Sequence, residues 1–394
     1  MTASQQARPD SGAETLTPEE FRVRLSEWLR AQARPSPAED HSSLEERISR
    51  GARLIAALYE AGWNRYGWPS AVGGIGGDIR HRAVLYDELC RADVEIPEQN
   101  VILEVVAPAL VAFAPDVAAR RLPGVLRGEE ILCQGFSEPE SGSDLAGLRC
   151  RATFDAATGD FVVNGQKIWT SFGHVADHIV LLCRTGTTES RSRGLTMLLV
   201  DLRAPGVDVR PIRFANGENE LSEVFFHDVR VSQDHLIGDV DDGWSVATYL
   251  LQFERGMYAW MRQAVLSSRL RMLAAQLDSR GDGGDGHRER LGAAVLAIAA
   301  LRARSSHTVQ TLALGDTVGP AASMDKLLLA TAEHAVYDAS RDLLCPDFAL
   351  DDTQPGILQW RAEWFYSRAA SIYGGAAEIQ RTIIADRVLN LPRE

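Results

Sequence analysis

The 394-residue sequence is short of several things, and each shortage removes a class of function. Its five cysteines, Cys90, Cys133, Cys150, Cys183 and Cys345, are scattered, odd in number and never spaced as a CxxC pair. That pattern argues for reduced, mostly buried thiols in a cytoplasmic protein rather than a disulfide framework. Nine histidines show no HExxH or similar ligand spacing, so no metal site is expected. Positive charge is in deficit, with a net charge of −13. Nucleic-acid binders usually carry a basic face, so no nucleic-acid partner is expected. Long apolar runs are missing too. The most apolar stretch, around residues 101–119, is broken by Glu104, Pro108 and Pro115 and cannot cross a bilayer as one apolar helix. No membrane partner is expected. Residues 1–16 lack a basic start followed by an apolar core, and are expected to be a flexible N-terminus rather than a signal peptide. No GxGxxG follows a strand-like run, which leaves a Rossmann dinucleotide site unsupported.

What is present is enough apolar content, 45%, for a large core and two or three domains. Residues 17–130 read as helices. Thr17-Pro18-Glu19-Glu20 is a helix start, with Thr as cap and Glu three residues on, and Ser43 with Glu46 repeats it. Residues 131–240 change character. Phe161-Val162-Val163 followed by Asn164-Gly165 reads as strand and turn. The apolar runs 179–182 and 198–200 suit buried strands, and 207–212 and 224–231 continue the β pattern. Residues 241–394 return to helix: 244–277, a flexible break at 281–286, then 291–314, 323–344, 359–370 and 376–389. The four long helices would pack as a bundle. The fold class is therefore α+β and mostly helical, with an N-terminal helical domain, a middle β domain and a C-terminal helical bundle.

Two polar clusters stand out. In 133–144, small residues and hydroxyls would let backbone N–H groups approach a ligand closely. In 164–171, Trp169 beside Thr170 and Ser171 offers a flat apolar face and hydrogen bonds to a ring system. Alone, each also suits an ordinary turn.

Together they resemble the acyl-CoA dehydrogenase family. Residues 136–144 look like its flavin signature and 164–171 like its second flavin segment. Gly62-Trp63 through Gly73-Gly74 resembles its N-terminal loop, and residues 372–381 its C-terminal flavin segment. The resemblance spans about residues 45–394 and implies a helical domain, a β-barrel-like domain and a four-helix bundle, with noncovalently bound FAD. It implies desaturation of an acyl-CoA thioester, with an α proton taken by a base and a β hydride passed to flavin N5. It implies electron transfer to an electron-transfer flavoprotein or similar acceptor, and homo- or hetero-oligomers. Gln134, Phe136 and Ser137 would line the isoalloxazine. Gly142 and Ser143 would lie where the flavin phosphates and the thioester arm come close. Trp169, Thr170 and Ser171 would flank the flavin, with Ala376, Ala377 and Glu378 from the tail. Ser143, Arg255 and Gly375 would touch substrate.

The sequence departs from the family pattern where the base usually stands, after the tail tyrosine: that position is Gly374. Some members carry the base instead in a Glu-Arg pair on the first helix of the C-terminal domain. Here that pair is Glu254-Arg255, and a desolvated Glu254 would suit proton abstraction near neutrality. The Gly374 amide would still donate to the thioester carbonyl. The family's Arg, Phe-Gly and Gln contacts to a neighbouring FAD are thinned, leaving Arg288 or Arg290 as candidates for the pyrophosphate. Two other functions remain open: a noncatalytic subunit of a hetero-oligomeric enzyme, and a biosynthetic flavin oxidoreductase acting on a carrier-bound acyl group.

Overall fold

The structure is a computed structural model and describes residues 15–32, 43–281, 284–351 and 353–392. The flexible N-terminus expected for 1–16 lies outside the described residues except for its last two. Residues 282 and 283 of the expected break lie outside them as well.

Five helices come first: α1 (Pro18–Ala31), α2 (Leu44–Glu60), α3 (Ile79–Arg91), α4 (Gln99–Phe113) and α5 (Pro115–Leu126). Both anticipated capping boxes form. Thr17 and Glu20 exchange side-chain and backbone hydrogen bonds, as do Ser43 and Glu46. The apolar 101–119 stretch becomes α4 and α5, separated at Ala114, where Pro115 starts the next helix. No described helix is long and apolar enough to cross a membrane.

Eight strands follow: β1 (Leu132–Gly135), β2 (Arg151–Asp155), β3 (Asp160–Ser171), β4 (His178–Arg184), β5 (Leu195–Asp201), β6 (Val207–Pro211), β7 (Leu221–Ser232) and β8 (Leu236–Ile237). They make one mixed sheet in the order β6-β7-β3-β2-β4-β5-β8, with β1 parallel to β4. Strand β4 is buried at every position, which explains its unbroken apolar run. Asn164-Gly165 is not the hairpin turn its chemistry suggested. The chain turns at residues 156–159, and Gly165 lies inside β3 at an irregularity. Its φ is +138°, and an added Cβ would come within 2.7 Å of Cys150 Cα. Glycine serves close backbone approach there rather than reversal.

The remaining helices are α6 (Gly243–Arg280), α7 (Asp285–Ala313), α8 (Ala322–Leu343), the short α9 (Asp347–Leu350), α10 (Pro355–Ser367) and α11 (Ala377–Arg387). Helix α7 starts six residues before the expected Leu291, because helix can form before apolar periodicity begins. The 38 residues of α6 span about 57 Å. Val246, Ala247 and Leu250 join the core shared by α4, α5 and the sheet. Phe253, Met257, Trp260 and Met261 join the core under α1 and α3, and Leu266, Leu270 and Leu273 the core of the C-terminal helices. One helix thus enters three cores and fixes its side chains relative to all three blocks.

Candidate active site at the junction of the sheet and the C-terminal helices

The two polar clusters meet through backbone and one buried cation. The chain after β1 folds into a tight turn in which Glu138 and Ser141 exchange backbone hydrogen bonds of 3.0 and 3.1 Å. The β3–β7 register slips between Lys167 and Thr170, and the freed Ile168 N–H donates to Ser137 O at 3.0 Å. At this bulge Trp169 takes φ +62°, unusual for a bulky residue, and stands 55% exposed. Beneath it, the fully buried Lys167 donates to Phe136 O at 3.0 Å and Glu138 Oε1 at 2.8 Å. Glu138 also accepts from Arg149 N and Cys150 N. A buried, hydrogen-bonded ion pair therefore ties the 136–144 loop to the 164–171 strand. The alternation Phe161, Val163 points inward, and Lys167 falls in that inward series. The 164–171 cluster contains Lys167, and the alternation is the signal that turns it inward.

The second half of the site comes from α6, α8 and the turn before α11. Gly374 and Gly375 have φ of +63° and +94°. A Cβ on Gly374 would meet Glu254 Oε1 at 2.9 Å and Lys326 Cε at 3.4 Å. A Cβ on Gly375 would meet Gln380 Nε2 at 2.3 Å. Burial raises the Glu254 pKa above the ordinary carboxylate value, against the opposing pull of Arg255, Lys326 and the Gln134 amide. Gln134 belongs to β1, so this contact joins the two halves. A second link runs from Ser171 to Glu220, whose carboxyl burial and the nearby Glu98 push up to about 7, and from Glu220 to Tyr366 OH at 3.4 Å. Tyr258 OH in turn donates to Tyr373 OH at 3.3 Å.

Several buried polar atoms of this region have no hydrogen-bond partner among the described residues: Thr170 Oγ1, Glu254 Oε2, Arg255 Nε and both amide atoms of the fully buried Gln380. Buried polar groups are nearly always satisfied, so such a set can serve a bound polar group. This mix of acceptors and donors, together with the exposed Trp169 ring, fits a polar, planar group such as a flavin.

Models of the acyl-CoA dehydrogenase N-terminal, middle and C-terminal domains match residues 15–129, 133–229 and 241–389. The chain belongs to the acyl-CoA dehydrogenase family. Members bind FAD and are oxidoreductases acting on CH–CH donors. Acyl-CoA dehydrogenase IpdE1 of Mycobacterium tuberculosis is 37% identical over 396 residues, covering 95% of this chain and 98% of its own. Acyl-CoA dehydrogenase FadE26 of the same organism is 29% identical and covers 95% and 97%. The solved structure of the ChsE4-ChsE5 complex from Mycobacterium tuberculosis superposes with TM-score 0.78 at 27% identity, covering 97% and 99%. The Tcur3481-Tcur3483 steroid ACAD gives 0.80 at 25%, with the same coverage.

Of the residues expected at the site of this acyl-CoA dehydrogenase, the fold brings Gln134, Glu254, Arg255, Gly374 and Gly375 together. It brings Phe136 and Ser137 beside the 168–171 segment. Gly142 and Ser143 are exposed on the turn, and Gly142 has nothing within 4 Å of an added Cβ. Ala376 caps α11, Ala377 is buried, and Glu378 is exposed and paired with Arg381. Arg288 pairs with Asp285, and Arg290 with Asp342. Glu138, Lys167 and Gln380 lie in segments the sequence singled out but had no role assigned, and Glu220 and Lys326 lie outside those segments.

Proposed function

We propose that this chain desaturates an acyl-CoA thioester between its α and β carbons, with Glu254 taking the α proton. The supporting observation is the Glu254 carboxylate, which occupies the space a side chain at Gly374 would enter. A base delivered from α6 thereby stands in for one on the tail turn. Glu254 Oε2 is buried without a partner, so it is free to accept a proton, and its raised pKa matches a base working near neutrality. The Gly374 N–H has no acceptor among the described residues and can donate to the thioester carbonyl. The residues that would hold FAD are Phe136, Ser137, Trp169, Thr170, Ser171 and Gln380. When bound, FAD accepts the electron pair and hydrogen that leave the β carbon. An electron-transfer flavoprotein or similar acceptor would take the electrons onward. The free thiols agree with a cytoplasmic setting.

Glu254→Gln keeps size and removes basicity. It should retain FAD and slow acyl-CoA-dependent flavin bleaching by roughly 10²–10⁴. Bleaching as fast as in the parent, with an acyl-CoA that the parent oxidises, would remove Glu254 as the base.

A second reading, a subunit that acts only beside a paralogue, draws on Arg288 and Arg290, both already engaged with local aspartates. Two similar structures, the ChsE4-ChsE5 complex and the Tcur3481-Tcur3483 steroid ACAD, are named for paired chains. Parent protein that stays colourless with excess FAD, and turns yellow only when co-purified with a paralogue, would favour this reading.

A further inference from the structure

The sequence holds 41 cationic side chains of lysine and arginine, and only two of them, Lys167 and Lys326, are lysines. Both are buried, at 0% and 3% exposure. A chain that uses arginine everywhere else keeps lysine at two places beside the candidate site. Lysine differs from arginine in being a compact point charge that can lose its proton when desolvated. Lys167 is accounted for by the loop it ties down. Lys326 is not.

Lys326 rises from α8 beneath the tail turn. Its Nζ donates to Ala370 O at 2.7 Å and stands 3.8 Å from the centre of the Tyr373 ring. It lies against the same point beside Gly374 that Glu254 Oε1 does, yet among the described residues the two make no ion pair within 4 Å. The other groups around Glu254 are Arg255 on its own helix and the uncharged Gln134 on β1. Glu333, further along α8, is taken up by Arg262 at 2.6 Å. The geometry points to Lys326 as a positioning residue for the reaction: its ammonium, anchored on Ala370 O and Tyr373, compensates the Glu254 carboxylate through space without pinning it. This rests on Glu254 being the base.

The arrangement answers two opposed needs. A buried carboxylate is costly without a counter-charge, and a salt bridge would occupy the oxygen that must take the proton. A cation held a few ångströms off meets both. Burial lowers the Lys326 pKa to about 8, so its help is present below that pH and fades above it.

The test compares Lys326→Gln, which keeps a donor for Ala370 O and loses the charge, with Lys326→Arg, which keeps the charge. Flavin reduction by a fixed acyl-CoA is followed against pH. For charges roughly 6 Å apart at an effective dielectric near 20, removing the cation should move the acid limb up by about one to two pH units. On the acid side of the limb that slows reduction about ten- to a hundredfold, and the profiles converge on its alkaline side. Lys326→Arg should keep the limb of the parent. A role confined to holding the turn would instead lower FAD retention at every pH and leave the limb in place. An unmoved limb in Lys326→Gln, with Glu254→Gln still inactive, overturns the inference about Lys326 alone. Unimpaired Glu254→Gln overturns the base reading beneath it. If Lys326→Gln fails to hold flavin, infrared titration of the Glu254 carboxyl in the apoproteins, with Glu254→Gln as the blank, decides the question. A titration unchanged from the parent overturns it.

Discussion

Replacing Lys167 with methionine would leave Glu138, only 8% exposed, with two backbone donors and without its ion-pair partner. Breaking a buried, hydrogen-bonded pair by removing one partner typically costs about 3–5 kcal/mol. The entropy of unfolding is about 2.1 cal/mol/K per residue, so a loss of about 4 kcal/mol lowers the melting point by about 5 °C if the whole chain melts together. The shift is about 20 °C if a sheet unit of roughly 100 residues melts alone. Scanning calorimetry distinguishes these, and the flavin absorbance of the washed protein reports whether the 136–144 loop still grips its ligand. Phe136 O would also lose its donor, so Lys167→Met should release flavin even at temperatures where it is folded. The double variant Lys167→Met/Glu138→Gln should melt above Lys167→Met, because the stranded charge is gone. If Lys167→Met melts within about 1 °C of the parent and keeps its flavin, the pair does not hold the loop.

Gly375→Ala should abolish flavin retention, because φ is +94° and the new methyl would press into the buried Gln380 amide; undiminished FAD content in the purified variant contradicts this. Glu220 titrates near 7 in the folded protein against an ordinary 4.5, so the folded state holds its proton more tightly than the unfolded chain. That contribution to stability is complete below pH 4.5 and is lost as pH rises through 7. Glu220→Gln should therefore be more stable than the parent by about 3 kcal/mol at pH 8, with most of the gain gone at pH 5. Equal melting-point differences at the two pH values would refute the assignment.

The block order and both early helix caps could be read from the chain, because caps and apolar periods are local. Strand β4 could be read because a strand covered on both faces has one composition throughout. Asn164-Gly165 misled because glycine's freedom serves a bulge as well as a turn, and only the neighbouring Cys150 backbone separates the two. The start of α7 was hidden because Asp285–Arg290 is exposed or partly exposed and carries no apolar period. The approach of Glu254 to Gly374, across 120 positions of sequence, has no local signature. Glu254 was reached through the family's alternative base position, and its meeting with Lys326 was not reached at all.

The scarcity of lysine has a practical side. With both side-chain amines sealed in the interior, amine-directed dyes and cross-linkers find no lysine on the folded surface. A protease that cuts only after lysine finds its two targets inside the 168–171 bulge region and beneath the tail turn. Cleavage into residues 1–167, 168–326 and 327–394 thus requires these two regions to open. Each cut has its own fragment pattern, so the chain carries separate built-in reporters for the loosening of the two halves of its site.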